Sequence, residues 1–233
     1  MSIMLVIIAV GDLFSLSRAG IGSCLCSMVL FVYLVNRSEQ KMKITSIMLI
    51  FLLIIITVGY WIGYYPIVER FKLIPNEWES RTGRWAVWQD SVRIIKDFPV
   101  TGAGLANFGT IFVHYKRFTD THYTYAHNDF VQFLVEMGVA GFILLILTIY
   151  LFYRQALLYP WPDNSRTRML VLGMLAGIFA VVAHSFFDFP LQIPANTCLL
   201  AVYAGLLFAC IKIDSAERLA KLNTKHIREA KAS

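Results

Sequence analysis

The chain is short of charge. Asp, Glu, Lys and Arg make up 15% of its 233 residues, against about 25% in a soluble domain. That scarcity, with a mean hydropathy of +0.61, excludes a disordered chain, a coiled coil and an ordinary soluble enzyme. Cysteine is scarce as well. Cys24, Cys26, Cys198 and Cys210 all sit inside apolar runs, none at zinc-type spacing from a histidine, and they read as small apolar fillers. No cleavable signal peptide is expected, because the first apolar run meets Asp12 and Arg18 without a small-residue cleavage site. A dinucleotide fingerprint is missing too: Gly102-Ala103-Gly104-Leu105-Ala106-Asn107 ends in Asn and follows no strand pattern. His114, His122 and His127 are spaced too irregularly to read as a metal cluster, so no metal is expected.

What the chain has is hydrophobicity, at 58% of residues. Six apolar runs stand at roughly 2–16, 20–35, 44–65, 129–153, 168–187 and 195–211. A crossing needs about 20 residues. The last four runs meet that or nearly do, the second is short, and the first reads as the end of a helix whose beginning lies upstream. The net charge of +6 is placed between runs and in the tail, as in membrane anchors, so it does not point to nucleic acid. Segments 36–43, 154–168 and 212–233 hold 12 of the 21 Lys and Arg residues. Alternation puts all three on one side, taken as cytoplasmic. The other side receives the turn near Arg18, the long loop 66–127 and the short loop 188–194. The expected fold is all-α: a polytopic helical membrane bundle of about six crossings over 1–211, with a basic tail at 212–233.

The long loop has its own pattern. Trp85, Trp88, Val92 and Ile95 recur on one helical face between Arg81 and Lys96, which predicts an amphipathic helix lying at the membrane surface. Pro99 ends it, and Gly102 and Gly104 make a tight turn. Arg84 lies four residues before Trp88, a spacing for a cation–π contact, and Arg81 lies three before Arg84. Such guanidinium groups suit a lipid-linked phosphate or, equally, ordinary headgroups. Asn128 or Asp129 is a good N-cap, with Gln132 at capping-box distance from Asp129. His127 then stands at the mouth of the fourth crossing. Were the helix continuous through it, Gly138 and Gly141 would share its face and admit a neighbouring helix. A plain helix start with a solvated His fits the same residues. Arg18, in Ser15-Leu16-Ser17-Arg18-Ala19-Gly20, either meets an anion or snorkels from a turn. His184 and Asp188 are an i, i+4 pair that either serves a site or shapes a re-entrant turn before Pro190 and Pro194.

Together these pieces resemble the O-antigen ligase and polymerase family of bacterial inner-membrane proteins. The family pattern of His, Asn, nine residues, Gly, two residues, Gly is met by His127, Asn128, Gly138 and Gly141. Ser17-Arg18-Ala19-Gly20 is similar to the family's Ser-Arg-x-Gly. Arg84 with Trp88, followed by Pro99-Val100-Thr101-Gly102-Ala103-Gly104, and the stretch from His184 to Pro194 are similar to further family segments. The resemblance covers roughly 10–210. Members usually carry more than six crossings, so the chain resembles a C-terminal half. The resemblance implies a metal-independent glycosyltransferase with no cofactor, fed by an undecaprenyl-diphosphate-linked glycan and acting at a periplasmic face on a lipid or glycan acceptor. In that reading His127 is the base, since an imidazole neutral near pH 7 takes a hydroxyl proton. Arg18, Arg84 and Arg81 hold the diphosphate, and Asn128, His184 and Asp188 contact substrate. Two other readings stand beside it: a transporter of a small solute such as inorganic carbon, and an inactive truncated fragment or partner. The charged groups cluster at the outer edge rather than mid-membrane, which favours chemistry over transport.

Overall fold

The computed structural model describes residues 17–38, 83–118 and 122–232. The apolar runs at 2–16 and 44–65, and Arg81, lie outside these. Among the described residues there are six α-helices, one 3-10 turn and no strand. Four of the helices are long and apolar enough to cross a membrane, and the molecule is a helical membrane bundle carrying a small cap.

Helix α1 (Arg18–Arg37) begins at Ser17, whose hydroxyl accepts from the Gly20 N–H at 3.0 Å. The stretch expected to be a turn is, from Ser17 onward, an N-cap and a first helical turn. Counting from Arg18 gives 20 residues, about 30 Å at 1.5 Å each, so this run is long enough to cross. In the cap, α2 (Arg84–Asp97) and α3 (Phe108–Tyr115) lead to α4 (Asp129–Leu158). Helix α5 (Ser165–His184) starts at Asn164, which accepts from the Arg166 and Thr167 N–H groups. After a 3-10 turn at Pro190–Gln192, α6 runs from Pro194 to Ala232 without a break. The run at 195–211 and the tail are therefore one helix. No Gly or Pro occurs after Gly205, and Ala, Leu, Glu, Lys and Arg fill the stretch.

Helix α1 packs antiparallel on α5. Ser27 Oγ donates to the Ala176 carbonyl at 2.8 Å, and Arg168 Nη1 donates to the Ser38 carbonyl at 3.0 Å. This register sets Arg18 at the same end of the bundle as His184. Helix α6 covers another side of α5, and Leu34, Leu172, Leu175, Leu207 and Ile211 close the core between them. Large apolar side chains elsewhere on these helices stay exposed, Val29, Leu144, Leu158 and Leu170 among them. That outward apolar surface is what lipid tails solvate. At the basic end, Arg218 pairs with Asp214 and Asp163, each at 2.8 Å, and donates to the Trp161 carbonyl, tying the 159–164 connection to α6.

The cap has a separate core of Val87, Ile94, Phe108, Phe112, Ala126 and Val135. Each fully buried Val, Ile or Phe among them contributes about 1.5–3 kcal/mol. The face of α2 expected at the membrane surface and the face that packs into the cap are largely distinct. The inward face is Val87, Asp90, Ser91 and Ile94, while Trp85 and Val92 are exposed. Asp90 is fully buried because the chain leaving α3 needs it: Oδ1 accepts from the Arg117 and Phe118 N–H groups at 2.9 and 3.1 Å.

Candidate functional site

The site rests on a broken helix. Within α4, Gly138 has φ +63° and ψ −169°, a conformation essentially restricted to glycine. The break releases the carbonyls of Val135 and Glu136 and the N–H groups of Val139 and Ala140, which would otherwise pair in the i to i−4 pattern. The loop after α2 takes up all four. Ala103 N–H and Gly104 N–H donate to the Val135 and Glu136 carbonyls at 2.8 and 3.0 Å, and Val139 N–H and Ala140 N–H donate to the Pro99 and Val100 carbonyls at 2.9 and 3.2 Å. Gly102, at φ +72°, and Gly138 leave room for this contact. A Cβ on Gly138 would stand 2.3 Å from the Val100 carbonyl oxygen, and one on Gly102 would stand 2.3 Å from Glu136 C. The buried Glu136 carboxylate completes the joint by accepting from Ala106 N–H at 3.0 Å and Phe108 N–H at 3.2 Å. So Gly138 admits a loop rather than the neighbouring helix expected. Gly141 faces its own helix, where a Cβ would meet Met137 Cβ at 2.3 Å.

At the head of α4, Asn128 is the N-cap: its Oδ1 accepts from Val131 N–H at 3.0 Å. Asn128 is nearly buried, and capping is the contact its carbonyl oxygen makes. Gln132 reaches back past the cap to the Ala126 N–H at 3.1 Å. Asp129 is the first helical residue. Its N–H donates to the Ser185 and Asp188 carbonyls at 2.9 and 3.2 Å, and its Oδ2 accepts from Leu191 N–H at 3.0 Å. Those bonds lash the 185–191 connection across the top of α4. His127 is not helical. Its φ is +50°, so the helical-wheel relation to the glycines does not hold.

This lashing brings three groups, two of them distant in sequence, onto one carboxylate. Asp188 Oδ1 lies 3.2 Å from His127 Nδ1, and its Oδ2 lies 3.7 Å from His184 Nε2 and 3.9 Å from an Arg84 nitrogen. Arg84 also donates to the Phe187 carbonyl. It turns to this loop instead of to the Trp88 ring, which packs edge-on to Trp85 at 6.0 Å. Partial burial pushes the Asp188 carboxyl upward, but the His127 hydrogen bond, the Arg84 charge and the Phe189 N–H outweigh it and hold it below its ordinary 3.8. A charged carboxylate only accepts, so His127 Nδ1 carries the proton and Nε2 is the basic nitrogen. Aromatic rings wall the imidazole: Phe189 at 4.8 Å, Tyr123 at 5.8 Å, and Tyr125 stacked on Phe189 at 4.6 Å.

The lowered Asp188 value sets a pH test. A depressed folded-state carboxyl stabilises the fold above its unfolded value, and that advantage goes as pH falls through the folded one. Asp188→Asn should therefore cost a constant increment of thermal stability from neutral pH down to about pH 5. The increment should fade as pH falls below 3.8. Unfolding curves of both proteins across that range check it, and an increment undiminished in acid would contradict it.

The four groups share one rim with the start of α4, the end of α5 and the start of α6. Residues 3–146 match the family model described as O-antigen ligase. The chain belongs to the O-antigen ligase family. No curated protein and no solved structure matches it. As a member of the family it is an integral membrane protein of the glycosyltransferase type, with a lipid-linked glycan as the class of substrate. The matched span holds Arg18, Arg84, His127 and both interlocked glycines, whereas His184 and Asp188 lie beyond it.

In this O-antigen ligase chain, sequence reasoning named His127, Arg84, His184 and Asp188, and they meet. Arg18 is placed at the same end by the register of α1 on α5. The groups it missed are Gln132, Glu136 and the aromatic wall. Glu136 left a readable signal, an acid inside an otherwise apolar run.

Proposed function

We propose that the chain is a multi-pass inner-membrane glycosyltransferase whose site faces the periplasm, with the basic tail 212–233 in the cytoplasm. It moves a glycan from an undecaprenyl-diphosphate-linked donor to a hydroxyl of a lipid-borne sugar or a growing glycan, without a metal. The observation that carries this is the single carboxylate, Asp188, within 3.9 Å of His127, His184 and Arg84.

The chemistry follows from that grouping. Asp188 orients His127 so that Nε2 accepts the acceptor's hydroxyl proton as its oxygen attacks the anomeric carbon. The bond from that carbon to the diphosphate oxygen breaks, and its electron pair leaves on the diphosphate. Arg84, with Arg18 and Arg81, meets the charge that develops there. Arg18 sits at the positive end of the α1 dipole, where an anion relieves the repulsion. His184, on the far oxygen of Asp188, and Asn128 complete the polar surround.

The test is transfer itself: membranes holding the protein should convert the lipid-linked donor and a hydroxyl acceptor into product and free undecaprenyl diphosphate. Solute uptake with no such release would favour a transporter. In the same assay Arg84→Lys keeps the charge but loses the planar fork. It should lower kcat/KM by about ten- to a hundredfold, the worth of a charged hydrogen bond, mainly through a higher KM for the donor. Wild-type kinetics would remove Arg84 from diphosphate binding.

A further inference from the structure

His127 is held through the main chain of the residue before it. Ala126 is fully buried, and both of its main-chain polar atoms are taken. Its N–H donates to Gln132 Oε1 at 3.1 Å, from the first turn of α4. Its carbonyl accepts from Trp88 Nε1 at 2.9 Å, from α2. Gln132 is itself fixed, because its Nε2 donates to Glu136 Oε1 at 3.1 Å and Glu136 is bound to the Ala106 and Phe108 N–H groups. The next residue, His127, adopts the left-handed φ of +50°. That region is uncommon for a residue other than glycine, though less so for His, and contacts on either side of the residue hold it there. Trp88 also follows Arg84 by four residues, about one turn of the same helix.

We infer that Trp88 and Gln132 are positioning residues that fix His127 through the Ala126 main chain, and that α2 thereby sets the distance between the imidazole and the Arg84 guanidinium. The inference rests on the reading of His127 as the base. Neither residue touches the reacting atoms. Together they determine where Nε2 points, and a misplacement of about 1 Å at a reacting group costs about a hundredfold in rate. The helix that presents the guanidinium and the residue that steadies the base's loop then move as one body, so a donor bound at Arg84 finds the base already in range.

The experiment measures donor kinetics and thermal stability for Trp88→Phe, Trp88→His, Gln132→Met and, as a control, Trp85→Phe. Trp88→Phe keeps a ring and deletes the N–H; Trp88→His keeps an N–H on a smaller ring; Gln132→Met keeps the length and deletes the acceptor. The expected result is a kcat about ten- to a hundredfold lower for Trp88→Phe and Gln132→Met, a donor KM within about twofold of wild type, partial recovery in Trp88→His, and little change in Trp85→Phe. A purely structural role would lower the amount of folded protein and leave kcat per folded molecule alone, which overturns the inference. So does a loss confined to KM, or equal losses in Trp88→Phe and Trp88→His. If Trp88→Phe does not accumulate, Gln132→Met decides on the same kcat. Wild-type kcat in both, with His127→Ala inactive, removes the clamp and leaves the base. Transfer retained in His127→Ala removes the base reading beneath it.

Discussion

Glycan transfer should fall by about a hundredfold to ten-thousandfold in His127→Ala, the range that a positioned general base contributes. The protein should still fold. His127 is a quarter exposed, its ring supports no helix, and the N-cap that starts α4 belongs to Asn128. Alanine at φ +50° carries some backbone strain, on the order of 1 kcal/mol. His127→Asn removes the base while suiting that conformation better, since Asn visits it readily. Both variants should lose transfer alike while the amount in the membrane stays constant. Product formed from labelled donor, per molecule of folded protein, is the measurement. Transfer at the wild-type rate in either variant would take the base away from His127.

The second large effect lies in the joint beneath the site. Gly138→Ala should destabilise the protein by more than about 4 kcal/mol, a size reached by few single substitutions and a large share of a typical total of about 5–15 kcal/mol. Two costs combine. The backbone at Gly138 is closed to side chains. The new Cβ would also sit 2.3 Å from the Val100 carbonyl oxygen and 2.6 Å from Gly102 N, main-chain atoms that cannot swing aside. Gly102→Ala meets the same obstacle from the other partner. Gly177→Ala, in α5, meets nothing within 4 Å and serves as the comparison. Folded protein extracted from membranes, and its resistance to protease, should collapse for the first two and hold for the third. Normal accumulation of Gly138→Ala would mean that the loop and the helix do not interlock.

Much of this was legible in the residues. Apolar run lengths marked the helices now seen as α1, α4, α5 and the start of α6. The spacing of His127, Asn128, Gly138 and Gly141, with the basic residues opposite, marked the rim. Other features were not legible, for physical reasons. A run of apolar residues does not say which face meets protein and which meets lipid, because lipid tails are as apolar as a core. The apolar Trp85–Val92 face of α2 was readable, but the face that packs into the cap, Val87, Asp90, Ser91 and Ile94, was not. The glycines of two motifs, 102 and 138, were each visible, but their mutual contact spans 36 positions and is written in backbone geometry. The left-handed His127 gave no sign, since its neighbours impose that conformation. Gln132 read as a cap residue and nothing marked Asp90, because their side-chain oxygens meet main-chain N–H groups, which almost every residue offers.

Past Gly138, α4 continues from 139 to 158, which is about 30 Å of helix and matches the hydrocarbon thickness of an ordinary bilayer. The nine residues before the break carry Asp129, Gln132 and Glu136, all buried; the partners of Asp129 lie in the 185–191 connection, and Gln132 and Glu136 bond to main-chain N–H groups of Ala126, Ala106 and Phe108. They cannot be drawn into oil to lengthen the crossing. A thicker membrane must instead thin around the protein, because the crossing has no further apolar residues above the break to draw in. The hinge glycine thus works as a depth stop, holding the rim at one height above the acyl chains, whichever lipids surround it.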